Sequence, residues 1–222
     1  MVFEKLRNVW NMIANPIASK MGNISPSVLT WATLPLAGIA SWAMFSADRT
    51  PSGGGMLLFA LFMVICSSLL DVLDGTVARM HNKVSRYGDF LDHTIDRIVD
   101  IAFILAIGYN SNWIENNWIA WAAALSTLLG SYMGTQSQSV GLKRNYSGFS
   151  RADRLVVTCV GLFVAAIQSI MEWGDINILD IQINAMSTII LISGLGGIWT
   201  FTRRFFSASK DLKELDKAEP LS

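Results

Sequence analysis

Charged side chains are scarce in this sequence. Lys, Arg, Asp and Glu make up 15% of its 222 residues, whereas hydrophobic residues make up 52%. In an ordinary soluble domain, about a quarter of the residues are charged. The composition therefore excludes an ordinary soluble domain and favours a protein that lies in a lipid bilayer.

Cysteine and histidine are also rare, with two residues of each. Cys66 and Cys159 both fall inside apolar stretches, and neither has the spacing of a zinc site or of a disulfide framework. We interpret both as packing or lipid-facing residues. A thiolate metal centre is thereby excluded.

Long apolar stretches are what the sequence has instead. A helix that spans a bilayer needs about 20 mostly apolar residues, and six such stretches occupy nearly the whole chain. The fold is therefore predicted to be all-α, a single membrane domain over residues 1–222 with six transmembrane helices. The predicted spans are residues 26–45, 56–73, 90–109, 118–133, 155–171 and 183–201.

The segments outside these spans are short. Apolar residues recur at helical spacing in residues 1–22, which predicts an amphipathic helix in the membrane interface or a lead-in helix packed on the bundle. Residues 49–55 contain three consecutive glycines and are predicted to form a loop. Residues 210–222 are rich in charge and are predicted to form a frayed, solvated tail.

Positive charge is placed on one side of this layout. The segments at residues 110–117 and 172–182 contain no Lys or Arg, and Arg49 is the one basic residue in a loop on that side. Because cytoplasmic loops collect Lys and Arg, both termini are predicted to be cytoplasmic, in a chain integral to the cell membrane.

Four acids end the second span and begin the third: Asp71 and Asp74, then Asp92 and Asp96. Residues three or four apart share a helix face, and a short connection makes the two helices antiparallel neighbours. The four carboxylates should therefore converge, where they repel each other unless a cation neutralises them. The alternative is that they are helix-end charges paired with nearby basic residues, including Arg97.

Divalent metal is the simplest cation for such a cluster. The ligands are oxygens, which favours Mg²⁺ or Mn²⁺, with Ca²⁺ as an alternative, over zinc. Two ions about 3.5–4 Å apart would suit the transfer of a phosphate group. We expect His81 and His93, which lie near the acids in sequence, to be surface or supporting groups rather than ligands.

The run Asp71-xx-Asp74-Gly75-xx-Ala78-Arg79, followed by Gly88-xxx-Asp92-xxx-Asp96, resembles the signature of the CDP-alcohol phosphotransferases. Enzymes of this family attach an alcohol to the phosphate of a CDP-linked partner and release CMP. In the lipid-synthesising branches, the CDP carries a diacylglycerol or an archaeal ether lipid. The resemblance also implies a homodimer.

The resemblance assigns roles by motif position. Asp71, Asp74 and Asp92 would hold metal, and Asp96 would be both a ligand of a second metal and the general base. Ser27 and Thr30 match a further family element near the nucleotide, although Ser27 is equally explained as a helix cap. The residues that would contact CDP are Ser27, Thr30, Asp74, Gly75, Ala78, Arg79 and Gly88.

Four basic residues between the fourth and fifth spans suit an acceptor that carries phosphate. They are Lys143, Arg144, Arg151 and Arg154. The alternative is that they only set the membrane topology. The segment resembles phosphatidylinositol phosphate and archaetidylinositol phosphate synthases, with departures at Gly134, Gln136, Gln138 and Ser150. We therefore expect inositol 1-phosphate as the acceptor, with glycerol 3-phosphate as the alternative.

Other functions fit the sequence less well. A choline or ethanolamine acceptor would call for an aromatic or acidic cradle. A divalent-cation carrier would also use intramembrane acids, but it leaves Gly75, Ala78 and Arg79 unexplained. No feature indicates a nucleic-acid partner. Near the signature, Asp89 is expected to favour the start of a helix, and Arg97 and Asp100 are expected to form supporting polar pairs.

Overall fold

Six long helices dominate the fold. The structure, a computed structural model, describes residues 14–178 and 181–218. Within these residues a short helical segment, residues 14–19, precedes the long helices. The elements that follow are α1 (Pro26–Ser46), α2 (Pro51–Met80), α3 (Arg86–Gly108), α4 (Trp118–Ser139), α5 (Arg151–Ile170), β1 (Ile176–Ile178), β2 (Ile181–Ile183) and α6 (Ala185–Ala218).

A short antiparallel hairpin interrupts the otherwise helical chain. Strands β1 and β2 pair with Ile176 opposite Ile183. The sequence was expected to form only helices and loops, so this hairpin was not predicted, but the rest of the described chain is all-α as predicted. The alternation of isoleucine with a polar residue in both strands is typical of short β-strands, and the hairpin only connects α5 to α6.

Four of the described helices are long and apolar enough to cross a membrane: α1, α2, α5 and α6. Helix α3 carries Asp89, Asp92, Asp96 and Asp100, which reduce its apolar character. Large apolar side chains face outward from the apolar helices. Trp42 is 58% exposed and Phe62 57% exposed, as expected for side chains that contact lipid. These features describe an integral membrane protein.

Helix α2 begins earlier than the sequence predicts, because residues 51–55 are helical and not part of a loop. Thr50 caps the helix by accepting a hydrogen bond from the backbone N–H of Gly53, and Pro51 occupies the first turn, where its missing N–H does no harm. A Cβ added at Gly54 would lie 2.7 Å from Ile170 Cγ1. The glycine therefore permits close contact with α5, a role that the sequence alone does not reveal.

The C-terminal segment of the chain is more helical than the sequence predicts. Helix α6 continues to Ala218, so residues 210–218 are helical where a frayed tail was predicted. Most of their side chains are exposed. The predicted interfacial helix falls largely on residues 1–13, which lie outside the described residues.

Small residues bring the helices together. Helix α1 packs on α2 and α3, α2 packs on α5, and α4 packs on α6. A Cβ added at Gly197 would lie 2.7 Å from the backbone of Ser126 and Thr127, so the glycine lets α6 and α4 approach closely. This packing gathers the last turns of α2 and the first turns of α3 and α5 at one end of the bundle, which we call the signature end.

Candidate active site

The four acids of the signature come together as the sequence predicts. Arg151 joins helix α2 to α3, because its Nη1 lies 2.7 Å from Asp71 Oδ2 and its Nη2 lies 3.0 Å from Asp96 Oδ1. Asp74 and Asp92 line one shared cavity. We call Asp71, Asp74, Asp92 and Asp96 the carboxylate cluster.

Asp74 is held by a residue from a third helix. The hydroxyl of Thr30, on α1, donates a hydrogen bond of 2.6 Å to Asp74 Oδ2. Thr30 is 3% exposed and Asp74 is 6% exposed. A buried carboxylate needs such partners, so this bond fixes one wall of the cluster to α1.

A cavity of about 630 Å³ lies beside Asp74 and Asp92. All seven residues assigned to CDP by the resemblance line it: Ser27, Thr30, Asp74, Gly75, Ala78, Arg79 and Gly88. A Cβ added at Gly75 would lie 3.2 Å from Arg79 Nη1. The glycine therefore leaves the Arg79 guanidinium room at the cavity wall, and we call this space the donor cavity.

A second cavity of about 280 Å³ is lined by Asp96. Three of the four basic residues predicted to bind the acceptor line it, namely Arg144, Arg151 and Arg154. Lys143 is exposed and lines neither this cavity nor the donor cavity. The structure therefore does not bring it together with the other three basic residues. We call this second space the basic cavity.

Arg154 is already engaged by an acid. It is 7% exposed, and its Nη2 forms an ion pair with Asp100 Oδ2. Asp100 was expected to form such a supporting pair, and this expectation is confirmed. Because breaking a buried ion pair leaves an uncompensated charge, Arg154 joins α5 to α3 and has little freedom to bind a ligand.

Arg97 and Arg204 also line the basic cavity, and neither was predicted to do so. Arg97 was expected in a polar pair, but it has no ion-pair partner within the described residues. Arg204 donates to the carbonyls of Ser147 and Gly130, at 2.9 and 2.8 Å. Its position after the sixth span indicated only membrane topology, and no local motif marks it.

His93 lies between the two groups of charges. Its Nε2 is 3.3 Å from Asp89 Oδ1 and contacts Arg144 Nη1, and its Nδ1 is 3.8 Å from Asp92 Oδ2. Donor atoms of Asp92, His93 and Asp96 lie within 4.8 Å of one another. His93 therefore lies beside the acids of the site and is not a separate surface residue.

The residues present fit a divalent metal. The cluster offers carboxylate oxygens, the ligands that Mg²⁺ and Mn²⁺ prefer. Asp96 Oδ1 is buried and accepts no well-formed hydrogen bond within the described residues, although Arg151 lies nearby. A buried carboxylate oxygen without a hydrogen bond is suited to a cation.

Known proteins resemble this chain over most of its length. The family model for CDP-alcohol phosphatidyltransferase matches residues 23–199. A phosphatidylinositol phosphate synthase of Cutibacterium acnes is 28% identical over 172 residues, which cover 75% of this chain and 80% of that protein. An archaetidylinositol phosphate synthase of Pyrococcus horikoshii is 24% identical over 220 residues, which cover 94% of this chain and 95% of that protein.

A solved protein has the same fold. The phosphatidylinositol phosphate synthase of Mycobacterium tuberculosis, with CDP-DAG bound, gives a TM-score of 0.68 at 22% identity and covers 89% of this chain and 94% of its own. A second structure of that synthase, in complex with manganese and citrate, gives a TM-score of 0.65 at 22% identity, covering 87% of each chain.

Proposed function

Because the chain belongs to the CDP-alcohol phosphatidyltransferase family, we propose that it transfers a phosphatidyl-type group from a CDP-lipid to a phosphorylated polyol, with inositol 1-phosphate the favoured acceptor. Two cavities flanking one carboxylate cluster carry this proposal. Asp74 and Asp92 line the donor cavity, and Asp96 lines the basic cavity. Such an arrangement suits two substrates that react between the cavities.

The donor cavity suits the CDP group. Gly75 and Ala78 are small enough for a nucleotide to approach the α2 backbone, and Arg79 can donate two hydrogen bonds to phosphate oxygens. The cavity also contains Ser27 and Thr30 at the start of α1. The CDP-DAG bound to the Mycobacterium tuberculosis protein of the same fold supports a CDP-lipid as the donor class.

The basic cavity suits the phosphate of the acceptor. Arginines from three helices and from the connection before α5 line it, whereas Asp96 is the one carboxylate among its lining residues. Charged hydrogen bonds from guanidinium to phosphate are strong and directional. Of the predicted acceptor ligands, we propose Arg144 and Arg151, together with Arg97, which has no ion-pair partner in the described part of the chain. We assign Lys143 and Arg154 no direct contact.

The reaction follows from these positions. Asp96, as general base, takes the proton of the acceptor hydroxyl. The hydroxyl oxygen forms a bond to the phosphorus attached to the lipid, and the bond from that phosphorus to the CMP phosphate oxygen breaks. CMP leaves from the donor cavity, the lipid phosphate stays esterified to the acceptor, and Asp96 returns its proton to solvent.

Divalent cations held by Asp71, Asp74, Asp92 and Asp96 would neutralise the phosphate charge that builds up as the bond to CMP breaks. Mg²⁺ and Mn²⁺ both suit this set of oxygens, and we propose two ions. The manganese complex of the Mycobacterium tuberculosis protein supports a divalent cation. Holding the four acids near one another before the substrates arrive is the contribution of the protein chain.

We also propose a membrane arrangement that goes beyond the four apolar helices. Helices α3 and α4 span the bilayer as well, with Asp96 and Asp100 of α3 buried in the bundle. The placement of Lys and Arg favours a cytoplasmic signature end and cytoplasmic termini. Residues 1–22 lie in the interface, and the protein works as a homodimer, as the family resemblance implies.

The test is release of CMP by the purified protein in detergent, with a CDP-lipid and Mg²⁺ or Mn²⁺. Inositol 1-phosphate, glycerol 3-phosphate, serine and a no-acceptor control are offered separately, with diacylglycerol and archaeal ether donors. We expect CMP only with a phosphorylated polyol. CMP with serine alone would contradict the acceptor class, and no CMP under any condition would contradict the proposal.

A further inference from the structure

One arginine pairs with two of the four acids of the carboxylate cluster. Arg151 Nη1 lies 2.7 Å from Asp71 Oδ2, and Nη2 lies 3.0 Å from Asp96 Oδ1. Its Nε is 3.8 Å from Asp100 Oδ1. Among the Lys and Arg residues that the structure describes, Arg151 alone forms ion pairs with the cluster. The guanidinium therefore partly neutralises the acids of two different helices.

The carboxylates of Asp71 and Asp96 are also proposed ligands of the metal. Mg²⁺ contacts its oxygen ligands at about 2.0–2.1 Å. A guanidinium within hydrogen-bond distance of both Asp71 and Asp96 partly neutralises these acids, and its charge repels the ion. Arg151 in this position and a divalent cation therefore compete for the same two carboxylates.

The contact that Arg151 makes is incomplete. Arg151 Nε and Asp96 Oδ1 are both buried without a well-formed hydrogen bond within the described residues. The neighbouring pair of Arg154 with Asp100 independently fastens α5 to α3. The Arg151 side chain can therefore leave Asp71 and Asp96 while the helix that carries it stays in place.

The basic cavity is the place to which this side chain can turn. Arg151 lines that cavity together with Arg97, Arg144 and Arg204. An anion there would attract the guanidinium away from the acids, because charge-assisted hydrogen bonds to phosphate oxygens would replace its ion pairs. One side chain thus pairs with the acids of the cluster and also lines the basic cavity.

We propose that Arg151 is an internal counter-ion that couples the metal site to the acceptor site. It pairs with Asp71 and Asp96 when metal is absent and turns to the acceptor phosphate when metal is bound. Because coupling of binding is reciprocal, metal strengthens anion binding and the anion strengthens metal binding. This inference rests on the proposed function, from which it takes the metal ligands and the acceptor cavity.

Metal affinity without catalysis tests the inference. Mn²⁺ binding is measured from the electron paramagnetic resonance signal of the free ion, on full-length protein in detergent with no CDP-lipid. Arg151→Gln removes the counter-ion, and Arg144→Gln is the matched control because Arg144 lines the same cavity but pairs with no acid of the cluster. We expect Arg151→Gln to bind Mn²⁺ roughly tenfold more tightly than wild type, within the usual range of coupling, and Arg144→Gln to stay within about threefold.

Equal effects of the two substitutions, or weaker Mn²⁺ binding by Arg151→Gln, would overturn the inference. Arg151→Lys keeps the charge, and we expect its Mn²⁺ affinity to stay closer to that of wild type than to that of Arg151→Gln. If neither variant folds, the wild-type protein still gives an answer. Inorganic sulfate, a probe for the basic cavity, should tighten Mn²⁺ binding in wild type, relative to chloride at equal ionic strength.

No effect of sulfate, or weaker Mn²⁺ binding, would contradict the coupling. A failure of the proposed function looks different from either result. If wild type and Asp96→Asn bind Mn²⁺ equally weakly, the metal site itself is wrong. If wild type binds Mn²⁺ through the cluster and releases CMP, but Arg151→Gln behaves like Arg144→Gln, only the counter-ion role is wrong.

Discussion

The two ends of the helical bundle both hold charged side chains, but they pair them differently. At the end opposite the signature, Asp175 accepts hydrogen bonds at both oxygens, from Arg49, Gln168 and Asn184. Arg49 also lies over the ring of Trp113, 4.7 Å from its centroid. We call these five residues the Asp175 network.

At the signature end, the acids outnumber the cations that pair with them. The carboxylate cluster has four acids, and among the described Lys and Arg residues Arg151 alone forms ion pairs with it. Arg97, next to Asp96 in sequence, has no acid partner in the described part of the chain. A polar group whose charges are matched internally stabilises the fold, whereas a group with acids and cations left unmatched is suited to ligands.

Replacing Arg97 tests the signature end. We expect it to have a larger effect than the replacement of Asp175 or a change of pH. In Arg97→Gln, loss of a charged hydrogen bond, about 1.5–3 kcal/mol, should raise KM for the acceptor by roughly 10- to 100-fold. KM for the CDP-lipid should change little. Initial rates of CMP release at varied acceptor concentration measure both constants.

Arg203→Gln is the matched control, because Arg203 is exposed, lies beside Arg204 and lines neither cavity. It should leave both KM values unchanged. An unchanged acceptor KM in Arg97→Gln, or an equal rise in Arg203→Gln, would mean that the unpaired arginine does not bind the acceptor.

Replacing Asp175 tests the structural end. In Asp175→Asn, the ion pair with Arg49 is lost, and we expect the protein to lose about 1–3 kcal/mol of stability. For a chain of this size, each kcal/mol lowers the melting temperature by about 2–4 °C. Thermal unfolding in detergent measures the change, and Asp211→Asn, at an exposed acid of α6, is the control. CMP release at low temperature should be retained, and its loss would break the distinction between the two ends.

The Asp175 network should also give a smaller effect of pH. Burial acts to raise the pKa of Asp175, but hydrogen bonds from Arg49, Asn184 and Gln168 and the charge of Arg49 outweigh it, so the pKa is lowered. A carboxyl with a lowered pKa stabilises the fold above its unfolded-state pKa, and this contribution is lost as pH falls through the folded-state pKa.

The melting temperature of wild type should therefore fall on acidification below about pH 4. Asp175→Asn should show a smaller fall over the same range, because it has no carboxyl to protonate there. Parallel thermal scans of the two proteins make the comparison. Curves of identical shape would show that the Asp175 carboxyl does not contribute to acid sensitivity.

The signature end was more predictable from sequence than the opposite end. Acids at Asp71, Asp74, Asp92 and Asp96 have spacings that a helix converts directly into a shared face, and a short connection brings the two helices together. The glycine and alanine positions of the donor cavity came from the resemblance to the family signature. Local spacing was therefore sufficient to predict the cluster.

Contacts between distant segments were not predictable in this way. Arg97 was expected to pair with an acid, but Arg151 and Arg154 approach the acids instead, from a helix more than fifty residues later. Arg204 carries no local motif. The glycines after Thr50 suggested a loop because the use of Gly54, close packing on α5, depends on a neighbour that the sequence does not reveal.

The most direct test of this account is CMP release by Asp96→Asn, measured beside the wild type with CDP-lipid, Mg²⁺ and the preferred acceptor, together with the melting temperature of both proteins. Removal of a general base reduces the rate by about 10²–10⁴-fold. We expect a loss of at least that size, with a folded protein whose melting temperature is close to that of wild type. A folded Asp96→Asn protein that releases CMP at the wild-type rate would contradict the assignment of the carboxylate cluster as the reaction centre.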